Sequence, residues 1–304
     1  MGEIIHPRNM RAYIEARRKY GIHDRRALFR FIEACWGIHI PQAQVCPDHT
    51  PPGDYLAAAF FEELADCICW ANRSGGKTFL GALATWLDSV FKDRCETKIL
   101  GGSREQSERM YGHLTGEGGV GLVTEDFEYL IKGEVLSSKT SLVNKAHIQI
   151  LTASTRSVRG PHPQKLKLDE VDEVEGKIYN AALLIPKSKY GIQASTHIYS
   201  TMHKSFGLMQ KIIEGAALGG YRVFKWCIFE VLEKCQGREC GEVCPLWEDC
   251  GGRAKKADGY YPIHDAITMK RKVPPAVWDC EMLCKIPSQE DLIYPEFDPS
   301  IHII

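Results

Sequence analysis

The chain has 304 residues, of which 44% are hydrophobic and 25% charged, and its formal net charge is −1. The length suffices for one large domain with a small companion, and the composition excludes a disordered or fibrous protein. The near-zero charge excludes a protein that holds nucleic acid by overall positive charge, so any DNA contact must come from a local patch. The sequence carries no apolar run long enough to span a membrane and no secretory signal, which predicts a cytosolic protein.

The first part of the chain alternates between helical and strand-like patterns. Residues 24–36 open with Asp24, a good N-cap, and carry apolar residues at helical spacing, which predicts an amphipathic helix. A second helical pattern covers residues 54–64. A short apolar run, 67–70, then leads through a glycine-rich turn into a helical pattern over 78–91. A strand, a glycine loop and a helix in this order are what a nucleotide-binding unit needs.

Further strands and helices follow in alternation. A helix is predicted over 103–114, and the remaining predicted strands are 98–100, 147–151, 165–168, 196–200 and 221–229. This alternation predicts an α/β fold with a mainly parallel central sheet flanked by helices. After the last strand the composition shifts to cysteine, glycine and charge, so a second, irregular region is predicted to begin near residue 230.

A phosphate-loop motif follows the first predicted strand. Residues 71–78, ANRSGGKT, fit the template with alanine in place of its first glycine. Gly75 and Gly76 would let backbone N–H groups approach the phosphates of ATP. Lys77 would reach the β and γ phosphates, and Thr78 would supply a hydroxyl to Mg²⁺. An ordinary strand-to-helix turn is the alternative, and the complete GGKT in this context disfavours it.

An acidic segment supplies the second half of such a site. In KLKLDEVDE, Asp169 is predicted at the C-terminal end of its strand and Glu170 at the exposed tip. Asp169 would then reach the Mg²⁺ shell, and Glu170 would polarise the attacking water as general base. The alternative is an acidic turn after an edge strand.

Other polar residues are weaker candidates for contact with the phosphates. Arg159, in SVRGPHPQ, would stabilise the charge on the transferred phosphoryl group, in its own site or a neighbour's. Arg73 and Ser74 lie within the phosphate loop, and Arg73 is a second candidate for phosphate contact. Ser200 and Thr201 end a predicted strand and could report loss of the γ-phosphate, although on spacing alone an ordinary strand end explains them better.

Together, these segments resemble the large terminase subunits of tailed double-stranded DNA phages. The segments that carry the resemblance, in the family's order, are PQAQVCPDHTPP, ANRSGGKT, SVRG before KLKLDEVDE, IYSTMHKSFG and EMLCKIPSQEDLIYPEFD. The order is more specific than the phosphate loop alone. The resemblance implies a P-loop NTPase of the additional-strand (ASCE) type, whose ATP hydrolysis drives double-stranded DNA into a procapsid.

The resemblance also implies roles for individual residues. Lys77 matches the residue that contacts the nucleotide, and Thr78 matches the hydroxyl that binds Mg²⁺. Asp169 matches the metal carboxylate, and Glu170 matches the catalytic carboxylate. Ser200 and Thr201 match the motif that couples hydrolysis to motion. Arg159 matches an arginine that is offered to the neighbouring subunit's ATP, which implies a homo-oligomeric ring. Residues 40–52 would lie near the adenine.

The resemblance further implies partners, location and domain organisation. The partners would be double-stranded DNA, the portal protein and the small terminase subunit, in the infected host cell's cytoplasm at the procapsid portal vertex, without a membrane. The expected segments are an N-terminal helical, adenine-proximal segment (1–52), a P-loop ATPase core (53–229) and a small cysteine-rich linker (230–304). Family members continue into an RNase H-like nuclease after YPEFD, where this chain has few residues, so we expect no DNA cleavage by it.

The cysteines are concentrated near the end of the chain. Seven of the twelve fall between Cys227 and Cys284. The densest group, with gaps of four, three and five residues, is Cys235, Cys240, Cys244 and Cys250. These thiolates could hold a structural Zn²⁺ or an iron–sulfur cluster, with Cys280 and Cys284 as alternates. The alternative is a set of free cysteines in a loop-rich region.

Two other functions stay open at this point. A helicase-like, nucleic-acid-dependent ATPase would require further motifs that the sequence lacks. A metal-stapled DNA-binding or assembly module would retain the phosphate loop only as a relic.

Overall fold

The computed structural model describes residues 9–116 and 121–287 of the chain. One seven-stranded sheet forms the centre of this part, in the order β3-β4-β2-β5-β6-β1-β7. Its strands are β1 (Cys67–Ala71), β2 (Glu96–Gly101), β3 (Lys139–Ser141), β4 (His147–Ile150), β5 (Lys165–Asp169), β6 (Ser195–Ser200) and β7 (Arg222–Trp226). Every neighbouring pair is parallel except β3 and β4. The predicted mainly parallel α/β sheet is therefore confirmed.

The order of the strands identifies the type of sheet. β1 leads into the phosphate loop, and β5 ends at the predicted metal carboxylate, Asp169. β6 lies between these two strands and pairs with both. A strand inserted at this place is the one for which additional-strand NTPases are named, so the predicted fold class is confirmed.

Helices cover the sheet. They are α1 (Met10–Tyr20), α2 (Arg25–Trp36), α3 (Pro52–Phe60), α4 (Lys77–Phe91), α5 (Arg104–Thr115), α6 (Thr155–Val158), α7 (Gly176–Ala182), α8 (Leu208–Glu214), α9 (Ile228–Val231), α10 (Trp247–Cys250), α11 (Ile263–Lys272) and α12 (Pro275–Val277). α4 packs against α3, α5 and β6. Every residue of β1, β5 and β6 is buried, as expected for parallel strands covered on both faces.

Local capping explains why the principal helices begin and end where they do. Asp24 accepts a hydrogen bond from the Ala27 backbone N–H at the start of α2, and left-handed Gly37 ends that helix. Ser103 and Gln106 form a reciprocal capping box at the start of α5. The predictions for α2, α4 and α5 are correct to within one residue at each end.

Several predicted boundaries are wrong. The predicted strand over 221–229 ends at Trp226, because Cys227 and Glu230 form a capping box that starts α9. The helix predicted over 54–64 ends at Phe60. The region after residue 230, predicted to be irregular, contains α10, α11 and α12 and a π-helical turn, Trp278–Met282. The bounds of α1 and the short edge strand β3 were not predicted from the sequence.

The C-terminal region packs directly onto the phosphate-loop side of the sheet. Tyr260 donates a hydrogen bond to the Ser74 carbonyl, and the Cys284 thiol donates one to the carbonyl of Trp226, the last residue of β7. The YPEFD segment lies outside the described residues. In the described part of the chain, no helix combines the length and the apolar character that crossing a membrane requires.

Candidate nucleotide-binding site

The phosphate loop connects β1 to α4 in a conformation that depends on glycine. A Cβ on Gly75 would collide with the Asn72 side chain, so only glycine fits there. Gly76 has a φ of 76°, in the left-handed region, immediately before α4 begins at Lys77. The loop therefore leads directly to the N-terminus of a long helix, where free backbone N–H groups favour a bound phosphate.

The predicted catalytic residues of the two motifs meet at the C-terminal edge of the sheet. The Lys77 Nζ lies 2.9 Å from Glu170 Oε1, and the Thr78 hydroxyl donates a hydrogen bond of 3.2 Å to Asp169 Oδ1. Lys77 keeps only 7% of its side chain exposed, whereas Glu170 keeps 24%. The acidic pair therefore faces the phosphate loop, with the glutamate open to the solvent side.

Asp169 is held in an environment that weakens its acidity. Burial, reinforced by the charge of Glu170, raises the pKa of Asp169 to about 7, while Lys77 and the Thr78 hydroxyl act in the opposite direction. A carboxylate oxygen and a hydroxyl oxygen in contact are the hard ligands that Mg²⁺ prefers. The residues present therefore fit a Mg²⁺ ion held by Thr78 and Asp169.

The end of β6 orients Glu170. Its backbone has a φ of 49°, in the left-handed region, and its N–H donates to the Tyr199 carbonyl at 2.7 Å. The buried Ser200 hydroxyl lies 3.4 Å from Glu170 Oε2 and 2.8 Å from the Thr201 carbonyl. The Thr201 hydroxyl instead lies 3.3 Å from His203 Nδ1. Of the two predicted coupling residues, Ser200 is the one that reaches the acidic pair.

A cleft of about 660 Å³ opens beside the phosphate loop. Apolar side chains form one wall, and they belong to Ile38, Ile40, Pro41, Pro52, Phe79 and Leu80. Residues 74–78 of the phosphate loop form the other wall. An apolar wall facing a polar loop is typical of a small-ligand pocket of this size. Three of the apolar residues come from the segment 40–52, which was predicted to lie near the adenine.

Two further residues that were not predicted from the sequence complete the cleft. Tyr260 donates a hydrogen bond of 3.1 Å to the Ser74 carbonyl, and a Cβ on Gly76 would lie 2.7 Å from the tyrosine oxygen. His113 packs edge-on against Phe79, and burial lowers the pKa of its imidazole. The tyrosine pair in DGYY was the available signal for Tyr260, but nothing local ties it to a loop that lies 186 positions away.

Two predicted arginines lie apart from these contacts. The Arg73 side chain is exposed, and its backbone N–H donates to the Glu281 carbonyl at 2.8 Å. Arg159 is exposed just after α6 and has no side-chain hydrogen bond or ion pair with residues 9–116 or 121–287. The phosphate-contact roles of both arginines stay predictions.

The predicted cysteine ligands are near one another but do not form a tight group. Burial, followed by the charges of Cys240, Cys250 and Cys244, raises the pKa of Cys235. Within the two described ranges, these four sulfur atoms do not all lie within 4.8 Å of one another. The metal site at these cysteines stays a prediction.

The two alternate cysteines are engaged elsewhere. Both are buried, the Cys280 thiol donating to the Met202 carbonyl and the Cys284 thiol to the Trp226 carbonyl. These contacts tie the C-terminal region to the ends of β6 and β7. They give no support to either cysteine as a ligand of the group around Cys235.

Comparison with known proteins identifies relatives by structure alone. No protein-family model matches the chain, and no curated protein matches it. The large terminase of bacteriophage HK97 is 14% identical, with a TM-score of 0.54, over 84% of this chain and 55% of that chain. A mutant ATPase domain of the Thermus phage P74-26 large terminase is 10% identical, with a TM-score of 0.52, over 84% of this chain and 98% of that chain.

A further solved structure also matches over much of the chain. The large terminase of a thermophilic bacteriophage, in complex with ATP-γ-S, is 10% identical with a TM-score of 0.48, over 84% of this chain and 53% of that chain. The chain thus spans about half the length of this protein and of the HK97 terminase. The matches to the HK97 and P74-26 proteins show that the described structure has the fold of a phage large-terminase ATPase domain.

Proposed function

We propose that the chain is the ATP-hydrolysing motor domain of a viral DNA-packaging terminase, of the large-subunit type. The observation that carries the proposal is the contact of Lys77 and Thr78 with Glu170 and Asp169 at one edge of the sheet. Hydrolysis of ATP requires a phosphate cradle, a metal carboxylate and a group that orients water, and this edge offers candidates for all three. The terminase-like fold supports the same function.

The cleft beside the phosphate loop suits ATP. The base would lie against the apolar wall that includes Ile40 and Phe79, with the triphosphate along residues 74–78. Mg²⁺ held by Thr78 and Asp169 would neutralise phosphate charge and fix the geometry of the transferred group. Tyr260 would close the cleft above Gly76.

The ion pair between Lys77 and Glu170 suggests how the site is switched on. Both Glu170 oxygens are engaged in the structure, Oε1 by Lys77 at 2.9 Å and Oε2 by Ser200 at 3.4 Å. When Lys77 turns to the phosphates, Oε1 becomes free to accept a proton from the attacking water, while Ser200 keeps the carboxylate oriented. Ser200 would then transmit the state of the acidic pair to β6.

A ring of subunits would complete the site and use the energy of ATP hydrolysis. Arg159 is exposed and free to reach the ATP of an adjacent subunit in a homo-oligomeric ring. The partners would be double-stranded DNA, the portal protein and the small terminase subunit, at the procapsid portal vertex in the infected host cell.

ATP turnover, with and without double-stranded DNA, tests the proposal. Lys77→Ala and Glu170→Ala should each reduce turnover to background, whereas the control Lys255→Ala, at an exposed lysine, should match the wild type. Near-normal turnover in both site variants would exclude the motor. Turnover that feeds strand unwinding would favour a helicase, and DNA binding without any hydrolysis would favour an assembly module.

A further inference from the structure

A second cluster of polar side chains lies at the same edge of the sheet, where β7 ends. Its members, all buried, are Cys46, His49, Cys227 and Glu230, and their ligand atoms all lie within 4.8 Å of one another. The two sulfur atoms are 3.9 Å apart, and His49 Nδ1 is 2.8 Å from Glu230 Oε2. None of these residues contributes to the proposed hydrolysis of ATP.

We propose that Cys46, His49, Cys227 and Glu230 form a structural zinc site. They come as two pairs, C-x-x-H and C-x-x-E, and short spacing within each pair is typical of structural zinc sites. Zinc–sulfur bonds of about 2.3 Å at a tetrahedral angle place two sulfur atoms about 3.8 Å apart, close to the observed separation. Two thiolates, an imidazole and a carboxylate are all ligand types that zinc accepts.

The surroundings of Glu230 favour an ordered site. Its carboxylate accepts hydrogen bonds from the backbone N–H groups of Cys46, at 2.7 Å, and Cys227, at 2.8 Å. These bonds fix the carboxylate between the two cysteines and supply the outer contacts that ligands need. Zinc would replace the proton that His49 and Glu230 share, with a small opening of their 2.8 Å contact.

A small cavity leads to the cluster. A cavity of about 280 Å³ reaches Cys46, His49 and Cys227. The charged residues of the same lining balance one another, the cations being Lys225, Arg253 and Lys285 and the anions Asp48, Glu248 and Asp249. A zinc ion could therefore enter from solvent and be held among the buried ligands.

The zinc ion would link the apolar wall of the nucleotide cleft to the sheet. Cys46 and His49 belong to the segment 40–52, whose Thr50 N–H donates to the Lys225 carbonyl of β7 at 2.7 Å. The next residue, Trp226, donates from its indole N–H to the Gly75 carbonyl of the phosphate loop at 2.8 Å. A zinc ion between the segment and the end of β7 would hold the apolar wall in register with the phosphate loop, whatever reaction occurs there.

Metal analysis of the purified chain tests the proposal. We expect zinc in the double variant Cys240→Ser, Cys244→Ser, and its loss when Cys46→Ser or Cys227→Ser is added to that variant. The double variant removes two ligands of the cysteine-rich group and so separates the two sites. Zinc that disappears in the double variant but stays in Cys46→Ser would overturn the assignment.

Cobalt substitution keeps the test valid if the serine variants fail to fold. Co²⁺ added to the metal-free double variant should give a thiolate-to-cobalt charge-transfer band of the intensity expected for two thiolates, and added Zn²⁺ should displace it. The metal should also raise the melting temperature. A folded, metal-free protein that shows neither the band nor a shift in melting temperature would mean that the residues form only a buried hydrogen-bond network.

Discussion

Two clusters of side chains at one edge of the sheet each contain a glutamate, and the two glutamates differ in exposure and in hydrogen bonding. Glu170, at the nucleotide cleft, keeps 24% of its side chain exposed, with Lys77 on one oxygen and Ser200 3.4 Å from the other. Glu230, after β7, is fully buried and accepts hydrogen bonds from Cys46, Cys227 and His49. The partners of Glu170 can be exchanged for a bound nucleotide, whereas hydrogen bonds from within the chain fix the carboxylate of Glu230.

The pKa values of Asp169 and Glu230 differ in the same way between the two clusters. Burial and the charge of Glu170 raise the pKa of Asp169. Burial alone would raise the pKa of Glu230 as well, but the contacts with His49 and the backbone N–H groups lower it. A poorly satisfied charge is typical of a functional site, and a satisfied one of a structural site. The difference separates the region that we expect to react from the region that we expect to hold the fold.

The largest expected effect tests whether an arginine of a neighbouring subunit completes the nucleotide-binding site. If Arg159 acts as an arginine finger, Arg159→Ala should lower ATP turnover of the assembled protein by about 10³-fold or more, because the transition-state charge loses its partner. ATP affinity should stay unchanged. The matched control is Arg156→Ala, an exposed arginine of α6. Unchanged turnover in the assembled Arg159 variant would refute this role.

The next prediction concerns the partly exposed Glu170. Glu170→Gln should lower turnover by about 10²- to 10⁴-fold through loss of the general base, at almost constant side-chain volume. ATP binding should persist, because Lys77 no longer has to leave an anionic partner. The free energy of unfolding, measured in urea, should change little. A variant that binds no ATP, or that hydrolyses it normally, would contradict the assignment.

The stability of the metal-free protein should depend on the ionisation of Asp169. Its folded pKa is about 7, against an ordinary value of 3.8. Since the folded pKa is raised, this residue's contribution to stability is complete below about pH 4 and is lost as the pH rises to about 7. Relative to Asp169→Asn, the wild type should therefore lose up to about 4 kcal/mol over this range.

Urea unfolding without nucleotide or metal, between about pH 4 and pH 8, measures this difference. The free-energy gap between the wild type and Asp169→Asn should change steadily with pH and level off above about pH 7. A gap independent of pH would show that Asp169 is not held in the buried, acid-weakened state described here.

The smallest effect concerns the buried glutamate. In the metal-free protein, Glu230→Gln should lower the free energy of unfolding by about 3 kcal/mol, because it leaves His49 without its buried anionic partner. ATP turnover, measured well below the melting temperature, should stay close to that of the wild type. The control is Glu175→Gln, at an exposed glutamate. Lost turnover in a stable Glu230 variant would remove the distinction between the two clusters.

The sequence was sufficient to predict the parts of the site that depend on residues adjacent in the chain. ANRSGGKT contains the end of β1, the loop and the start of α4. KLKLDEVDE contains β5, which ends at Asp169, with Glu170 directly after it. Each motif fixes its own backbone, and parallel strands bring the motif ends to the same edge of the sheet. The meeting of Lys77 with Glu170 was therefore predictable.

The buried cluster was not predictable in the same way. Cys46 and Glu230 are 184 positions apart, and their contact depends on how segment 40–52 lies against β7. Cys227 and Phe229 fit a strand by composition, but the capping contacts of Glu230 end the strand at Trp226. Cysteine density pointed instead to the region after residue 230. Closeness in sequence was a poor guide to the metal ligands, because ligands of one ion must be close in space and need not be close in sequence.

The most direct test of the central claim is the effect of Mg²⁺ on ATP affinity, measured by titration calorimetry. If Lys77, Thr78 and the acidic pair surround one magnesium-bound nucleotide, Mg²⁺ should tighten ATP binding to the wild type. That gain should disappear in both Thr78→Ala and Asp169→Asn, whose affinity for metal-free ATP should remain similar to that of the wild type. An equal gain from Mg²⁺ in all three proteins would contradict the account.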